Sequence, residues 1–395
     1  MIEGVRAKII LDSRKRPTTE VEVRTQNGRF LASCPSGAST GEKEAAAIDP
    51  EKAVNNINNI IAVKLLGENE KKQKKIDNIM IELDGTENKS RLGANAVLPV
   101  SIAVCRAGAG AKKLPLYKYI NNTFAPTNTK VLSMPRPCFN IINGGAHAKN
   151  NLEIQEFMII PDYKSFAKNL KTGQKIFEKL KKILEKGFGE KGVLMGDEGG
   201  FAPPIENDEK ALAYISQAIG KYKINIGLDC AASEFFSKGK YEIDHKKLNR
   251  NELLRFYKEL IKKYPIIFIE DPFDEKDDKG FKAGVRELSN TIIVGDDYLT
   301  TNIKRIKRAK KNKTATGIII KPNQIGTVTE TLEAVKLAKS YHWKTIVSHR
   351  SGETMDDFIA DLAVGINSDF IKSGAPSKPE RLAKYNRIAA IEKIE

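Results

Sequence analysis

Five apolar runs in the second half of the chain each end on a residue able to do chemistry: Ile224–Leu228 on Asp229, Ile266–Ile269 on Glu270, Thr291–Gly295 on Asp296, Gly317–Ile320 on Lys321 and Thr345–Ser348 on His349. Three carboxylates, a lysine and a histidine on one rim would make a divalent-metal site facing a basic catalytic group. Taken singly, each acid could equally cap the helix that follows it. The triad is what points to metal.

These residues need a scaffold that gathers strand ends. The runs are short, rich in Ile and Val, and separated by charged stretches with helical spacing, the pattern of a parallel sheet buried on both faces. Eight such units closed into a barrel take roughly 250 residues, and active sites of such barrels lie at the C-terminal ends of the strands. The barrel is expected from about Val131 onward. The preceding residues read differently. Ile2–Leu11, Thr19–Thr25 and Arg29–Cys34 have the pattern of antiparallel strands, the last two joined by a turn at Asn27-Gly28. Pro50–Leu66, Glu70–Leu83 and Gly93–Lys112 carry helical spacing, the third small and apolar enough to be buried. Asn121–Lys130 reads as a linker. The expectation is an α/β chain with an N-terminal α+β cap domain over residues 1–125 and a (β/α)8 barrel over 126–395.

Composition narrows the function classes. A chain of 395 residues with 41% apolar content can fill two ordinary cores. Met1–Leu11 includes Glu3, Arg6 and Lys8, so it has no signal-peptide core, and no uninterrupted apolar run nears the ~20 residues of a membrane helix. Cys34, Cys105, Cys138 and Cys230 lie far apart with no CxxC pair, which fits reduced thiols in a cytoplasmic protein. The net charge of +16 raises nucleic acid as a partner. The basic runs Lys71–Lys75 and Lys304–Lys313 lack the interleaved aromatics that base stacking needs, so they read as solvated helix faces. Such a field can help collect an anionic substrate.

Four polar or Gly-rich segments that no fold requires lie between the elements: Pro35–Gly41, Asn143–Ala148, Gly196–Pro203 and Ser348–Thr354. With PSGASTGE, INGGAHA, LEIQEFMI, GDEGGFAP, GLDCAASEFF, IEDPFDE, VGDD, KPNQIGT, SHRSGET and FIADLAVG in order, the whole chain resembles the enolase family. The resemblance implies a lyase that reversibly dehydrates 2-phosphoglycerate to phosphoenolpyruvate. It implies two Mg2+ ions, one on Asp229, Glu270 and Asp296, the second arriving with substrate and held by Ser39 of the PSGAST loop. It implies Lys321 as the base, its pKa lowered by the cations and by desolvation. Glu198 matches the acid that protonates the departing hydroxyl, with Glu156 as its proton-sharing partner and His147 on the loop that closes over them. Gln155 and His349 line the pocket, Arg350 and Ser351 clamp the phosphate, and Lys372 faces the substrate carboxylate. A homodimer is implied, in which Glu20 pairs with a partner arginine that this chain replaces by Ala390.

Other positions depart from the family pattern. Lys15 and Arg16 stand where Gly and Asn are usual, in a turn expected to lie away from the chemistry. The segment after Glu42 is short, Pro322 follows the base, and Pro99 falls inside the expected buried helix, where proline would kink it. The alternative reading is an enolase-like protein that binds surfaces, plasminogen or nucleic acid without catalysis. Loss of Lys321, Glu198 or a metal carboxylate would favour it, and all are present.

Overall fold

The computed structural model describes residues 1–37, 43–124 and 132–395. In the cap, β1 (Ile2–Leu11), β2 (Pro17–Thr25) and β3 (Gly28–Ser33) form an antiparallel sheet in that order. The β2–β3 turn sits one residue earlier than expected, because Gly28, at φ 129°, already pairs with Thr25. Alternation along β2 buries Thr19, Val21, Val23 and Thr25, and the Ala94–Ala111 helix packs on β2 and β3.

That helix has the length and apolarity of a membrane span, yet 83% of it is buried inside the protein, so it is the core of the cap. It runs through Pro99 without a break. Proline has no N–H to give the carbonyl four residues back, and here that carbonyl, on Asn95, accepts the Thr19 hydroxyl at 2.5 Å instead. A bond from the sheet replaces the one the helix cannot make.

The helix opened by Pro50 is capped by Asp49, which accepts from the amides of Glu51 and Lys52, and it continues through a π turn at Ile57–Ile61 to Leu65. The next helix is Gln73–Asp84, ended by Gly85. The linker expected from Asn121 begins later, because Leu116–Phe124 is helical. Tyr117, Tyr119 and Ile120 are buried, the Tyr117 amide donates to Asp361, and Asn121 donates to the Gly365 carbonyl. Anchorage on the Phe358–Gly365 helix overrides the polar composition. The 125/126 boundary lies outside the described residues.

Eight strands close the barrel: β4 (Arg136–Asn143), β5 (Glu156–Pro161), β6 (Ile224–Asp229), β7 (Ile266–Glu270), β8 (Ile292–Gly295), β9 (Gly317–Ile320), β10 (Lys344–Ser348) and β11 (Phe370–Lys372). The sheet is not uniformly parallel as the repeat had implied. β5 runs antiparallel to both β4 and β6. Residues 144–155 join β4 to β5 with only the short 3-10 turn at Gly145–His147 and no crossover helix, and two helices, Phe166–Phe188 and Asp208–Ile219, follow β5 together. Inside, Cys138, Met158, Ile160, Phe268, Val294, Ile319, Ile346 and Phe370 form a core of their own. β6 leaves room for the Phe268 ring with Gly227, where an added Cβ would come within 2.4 Å of it.

Candidate active site

Asp229, Glu270 and Lys372 end β6, β7 and β11, and Asp296, Lys321 and His349 directly follow β8, β9 and β10. All except Lys321, which is only partly buried, are nearly inaccessible to solvent. The Lys372 ammonium lies 2.8 Å from Asp229, 2.7 Å from Glu270 and 3.3 Å from Glu156. Lys321 pairs with Asp296, whose other oxygen accepts from Gln324 at 2.9 Å. Gln155 reaches Asp229 at 3.5 Å. Burial disfavours charge on both lysines, but the carboxylates outweigh it and hold both pKa values above the ordinary range. For Lys321 the foremost of these carboxylates is Asp296; the expected lowering concerns the site with its cations bound.

The donor set suits a hard divalent cation. Glu270 keeps one buried oxygen with no hydrogen-bond partner among the described residues. The two ammonium groups bind oxygens that a cation would otherwise take. Among the described residues, three-ligand groups with atoms within 4.8 Å of one another occur at His147–Glu156–Glu198 and Glu153–Asp208–Asp244.

Across the pocket stand the acids. Because β5 is antiparallel, its first residue, Glu156, reaches the rim that the other strands reach with their last, opposite Asp229 and Asn143. Glu198 lies on a loop tied to β4 by the Phe201–Ile141 and Asn143–Phe201 backbone bonds. One Glu198 oxygen accepts from Asn140 and from His349, each at 3.1 Å. His147, on a short 3-10 turn, places Nδ1 3.8 Å from both glutamates. Burial and the charge of Glu198 push Glu156 well above the carboxylate range. Burial acts upward on Glu198 too, but His349, His147 and Arg381 pull it below. The surroundings of the two glutamates are thus opposed: burial and the Glu198 charge disfavour charge on Glu156, while the histidines and Arg381 favour it on Glu198.

On the third side, Arg350 makes a fork to Glu44, at 2.8 and 3.2 Å, and donates to Asn323 at 2.9 Å. Ser36 and Gly352 exchange backbone bonds of 2.8 Å, which joins the foot of the PSGAST loop to the segment of Arg350 and Ser351. A side chain at Gly352 would strike Asp12 and Ser36 at 2.3 Å. Arg14 donates to the Gly37 carbonyl at 2.8 Å, and Ser13 accepts from the Glu353 amide. The Asp12–Arg16 turn thus braces the foot of the PSGAST loop and the segment after Ser351, outside the pocket lining itself. Ser39 lies outside the described residues. Pro322 is the first residue of a helical turn, a position that needs no N–H, so it leaves Lys321 undisturbed.

One pocket holds His147, Gln155, Glu156, Glu198, Asp229, Asp296, Lys321, His349, Arg350, Ser351 and Lys372, and Glu270 joins it through Lys372. Contributors not singled out from sequence include Glu44, Asn140, Gln324 and Arg381, with Asp271 and Asp297 in the pocket lining. Glu44 stands just after a quoted motif, Gln324 lies inside KPNQIGT, and Asn140 is a polar residue between the apolar residues of β4. Those were the available signals.

Residues 2–120 match the family model described as the enolase N-terminal domain, and residues 131–394 match the enolase C-terminal TIM barrel domain. The chain is 47% identical to Enolase B of Dictyostelium discoideum over 99% of its own length and 94% of that protein's. It is 46% identical to the enolase of Methanocaldococcus jannaschii and 44% identical to that of Solanum lycopersicum, each over 99% of this chain and 95% of the relative.

Proposed function

The chain belongs to the enolase family, and on that premise we propose how its residues divide the work. It is a glycolytic lyase that interconverts 2-phosphoglycerate and phosphoenolpyruvate and uses a divalent metal. The observation that carries the residue assignment is the meeting of three buried carboxylates, two lysines and a glutamate pair in one pocket.

Asp229, Glu270 and Asp296 would hold Mg2+, and Ser39 would hold a second ion that arrives with substrate. When bound, the ions would supply positive charge to offset the charge that builds up beside the substrate carboxylate. Lys321 takes the proton from the carbon beside that carboxylate. Lys372 holds the substrate carboxylate, with Gln155 beside it. Glu198 delivers a proton to the departing hydroxyl and draws it from the dyad with Glu156, which stores it in the free protein. His147 closes that side, and His349 fixes Glu198. Arg350 and Ser351 receive the phosphate, for which the guanidinium fork is suited, and Arg350 turns toward it from Glu44.

The working unit is a homodimer with a weakened interface, residues 1–125 forming the cap and 126–395 the barrel, in the cytoplasm where four buried free thiols persist. Glu20 is paired within its own chain to Lys8 at 2.8 Å, and Arg387, one helical turn before Ala390, is engaged by Asp361. Phosphoenolpyruvate formation from 2-phosphoglycerate, followed by absorbance with Mg2+ and after chelation, tests the reading. Turnover equally fast in chelator would overturn it.

A further inference from the structure

Arg381 belongs to the Pro379–Glu392 helix and is completely buried. Its guanidinium reaches three parts of the pocket wall. One terminal nitrogen donates to His349 Nδ1 and to the Arg350 carbonyl, both at 2.7 Å, and the other donates to the Ser351 carbonyl at 2.5 Å and the Asp197 carbonyl at 3.3 Å. It also meets the Ser13 hydroxyl, at 3.4 Å. Every partner of those two nitrogens is an acceptor. A guanidinium has only donors and keeps its charge in proteins, so Nδ1 of His349 has to be the acceptor and cannot carry a proton. The ring's one hydrogen is then on Nε2, 3.1 Å from Glu198.

We propose that Arg381 is a positioning residue for the dehydration step: it locks His349 as the neutral Nε2–H tautomer, a fixed donor to Glu198. This rests on the assignment of Glu198 as the acid. The consequence is chemical. An imidazolium there would offer Glu198 a second proton source and would set two positive charges against each other at 2.7 Å. A fixed neutral donor holds the carboxylate in place without exchanging protons with it. The charged groups facing the ring are Glu198 from the loop after Leu194, Arg381 from the last helix and Glu353 from its own loop. Burial, helped by Arg381 against the pull of Glu198, brings the His349 pKa down to about 4.

The test is nitrogen NMR on the ligand-free protein labelled at histidine, where four histidines make assignment by single substitution practical. His349 in the unmutated protein should show one protonated nitrogen, Nε2, and no titration down to pH 5. A His349 that titrates near its ordinary value of about 6.5 would overturn the proposal with no variant needed. In Arg381→Gln, protonation of His349 should move up by at least about one unit, since one unit is the scale of a lost neighbouring charge. Unchanged ring shifts in a folded Arg381→Gln would also overturn it. In Arg381→Lys, kcat should fall about ten- to a hundredfold with KM little changed, the usual scale for a lost orienting partner, while C2 proton exchange by Lys321 persists. An NMR result that holds while both rates stay at wild-type values would remove the role in dehydration but leave the Glu198 assignment to be judged by its own variant.

Discussion

On the base side of the pocket, Asp229, Glu270, Asp296 and Lys372 stand on or beside the ends of parallel strands with Lys321, and each charge meets an opposite one. On the acid side, His147, Gln155 and Glu198 stand on connecting segments, and Glu156 begins the one reversed strand. There His147 Nδ1, Gln155 Oε1 and Glu156 Oε2 are buried without a hydrogen-bond partner among the described residues. Each such group costs about 1–3 kcal/mol. The base side pairs its charges internally, with one Glu270 oxygen left over, and has to exchange ion pairs for a cation. The acid side holds unmet hydrogen-bonding capacity that a bound substrate can use. Electrostatic order is thus complete on one wall and deferred on the other.

The contrast can be broken most severely at Lys321. Lys321→Ala should lower turnover by about 10⁴-fold, the upper range for loss of a proton-transferring group, and solvent exchange of the substrate's C2 proton should fall with it. Exchange at the unmutated rate would mean that the base is elsewhere. Glu198→Gln should cost dehydration about 10³-fold on the same scale yet leave part of the C2 exchange. Equal loss of both activities would erase the distinction between the two walls and return His147 to consideration as the acid.

A smaller effect separates cation binding from catalysis. Mg2+ at a hundred times its dissociation constant should stabilise the folded protein by about 2.7 kcal/mol, read as a rise in melting temperature. Asp229→Asn should abolish that rise, whereas Glu198→Gln should keep it. A full Mg2+ shift in Asp229→Asn would place the ion off the triad. The smallest change lies in the turn bonded to the foot of the PSGAST loop. Lys15 sits at φ 60°, a left-handed conformation that costs a residue with a Cβ about 1 kcal/mol. Lys15→Gly should therefore recover up to about 1 kcal/mol in thermal unfolding with kinetics unchanged. A lower melting temperature would show that the lysine side chain contributes more than its backbone costs.

Sequence patterning reached the two walls unequally. Strands β6 to β10 were visible because each is a short apolar run closed by one polar residue, so five functional positions could be read from burial alone. The reversed direction of β5 was not visible, since its apolar run Phe157–Ile160 looks the same in either sense. The acids there were legible only through the resemblance. The pairing of Lys321 with Asp296 was not legible, because nothing in a linear pattern tells which carboxylate stands nearest. Pro99 looked like a fault until Thr19, from a distant strand, supplied its missing bond. Arg381 sits among ordinary helix residues, and its role depends on three segments that meet only in the fold.

The reversed strand also makes part of the molecule interchangeable. Asn143 and Glu156 are cross-strand partners, so the segment 144–155 leaves and returns at a single point on the rim. Its length is decoupled from barrel closure, and doubling such a segment adds only about 0.6 kcal/mol of closure entropy. Lineages or designers could lengthen, shorten or graft this piece, with His147 and Gln155 aboard, and retune leaving-group chemistry while the proton-abstracting wall stays as it is.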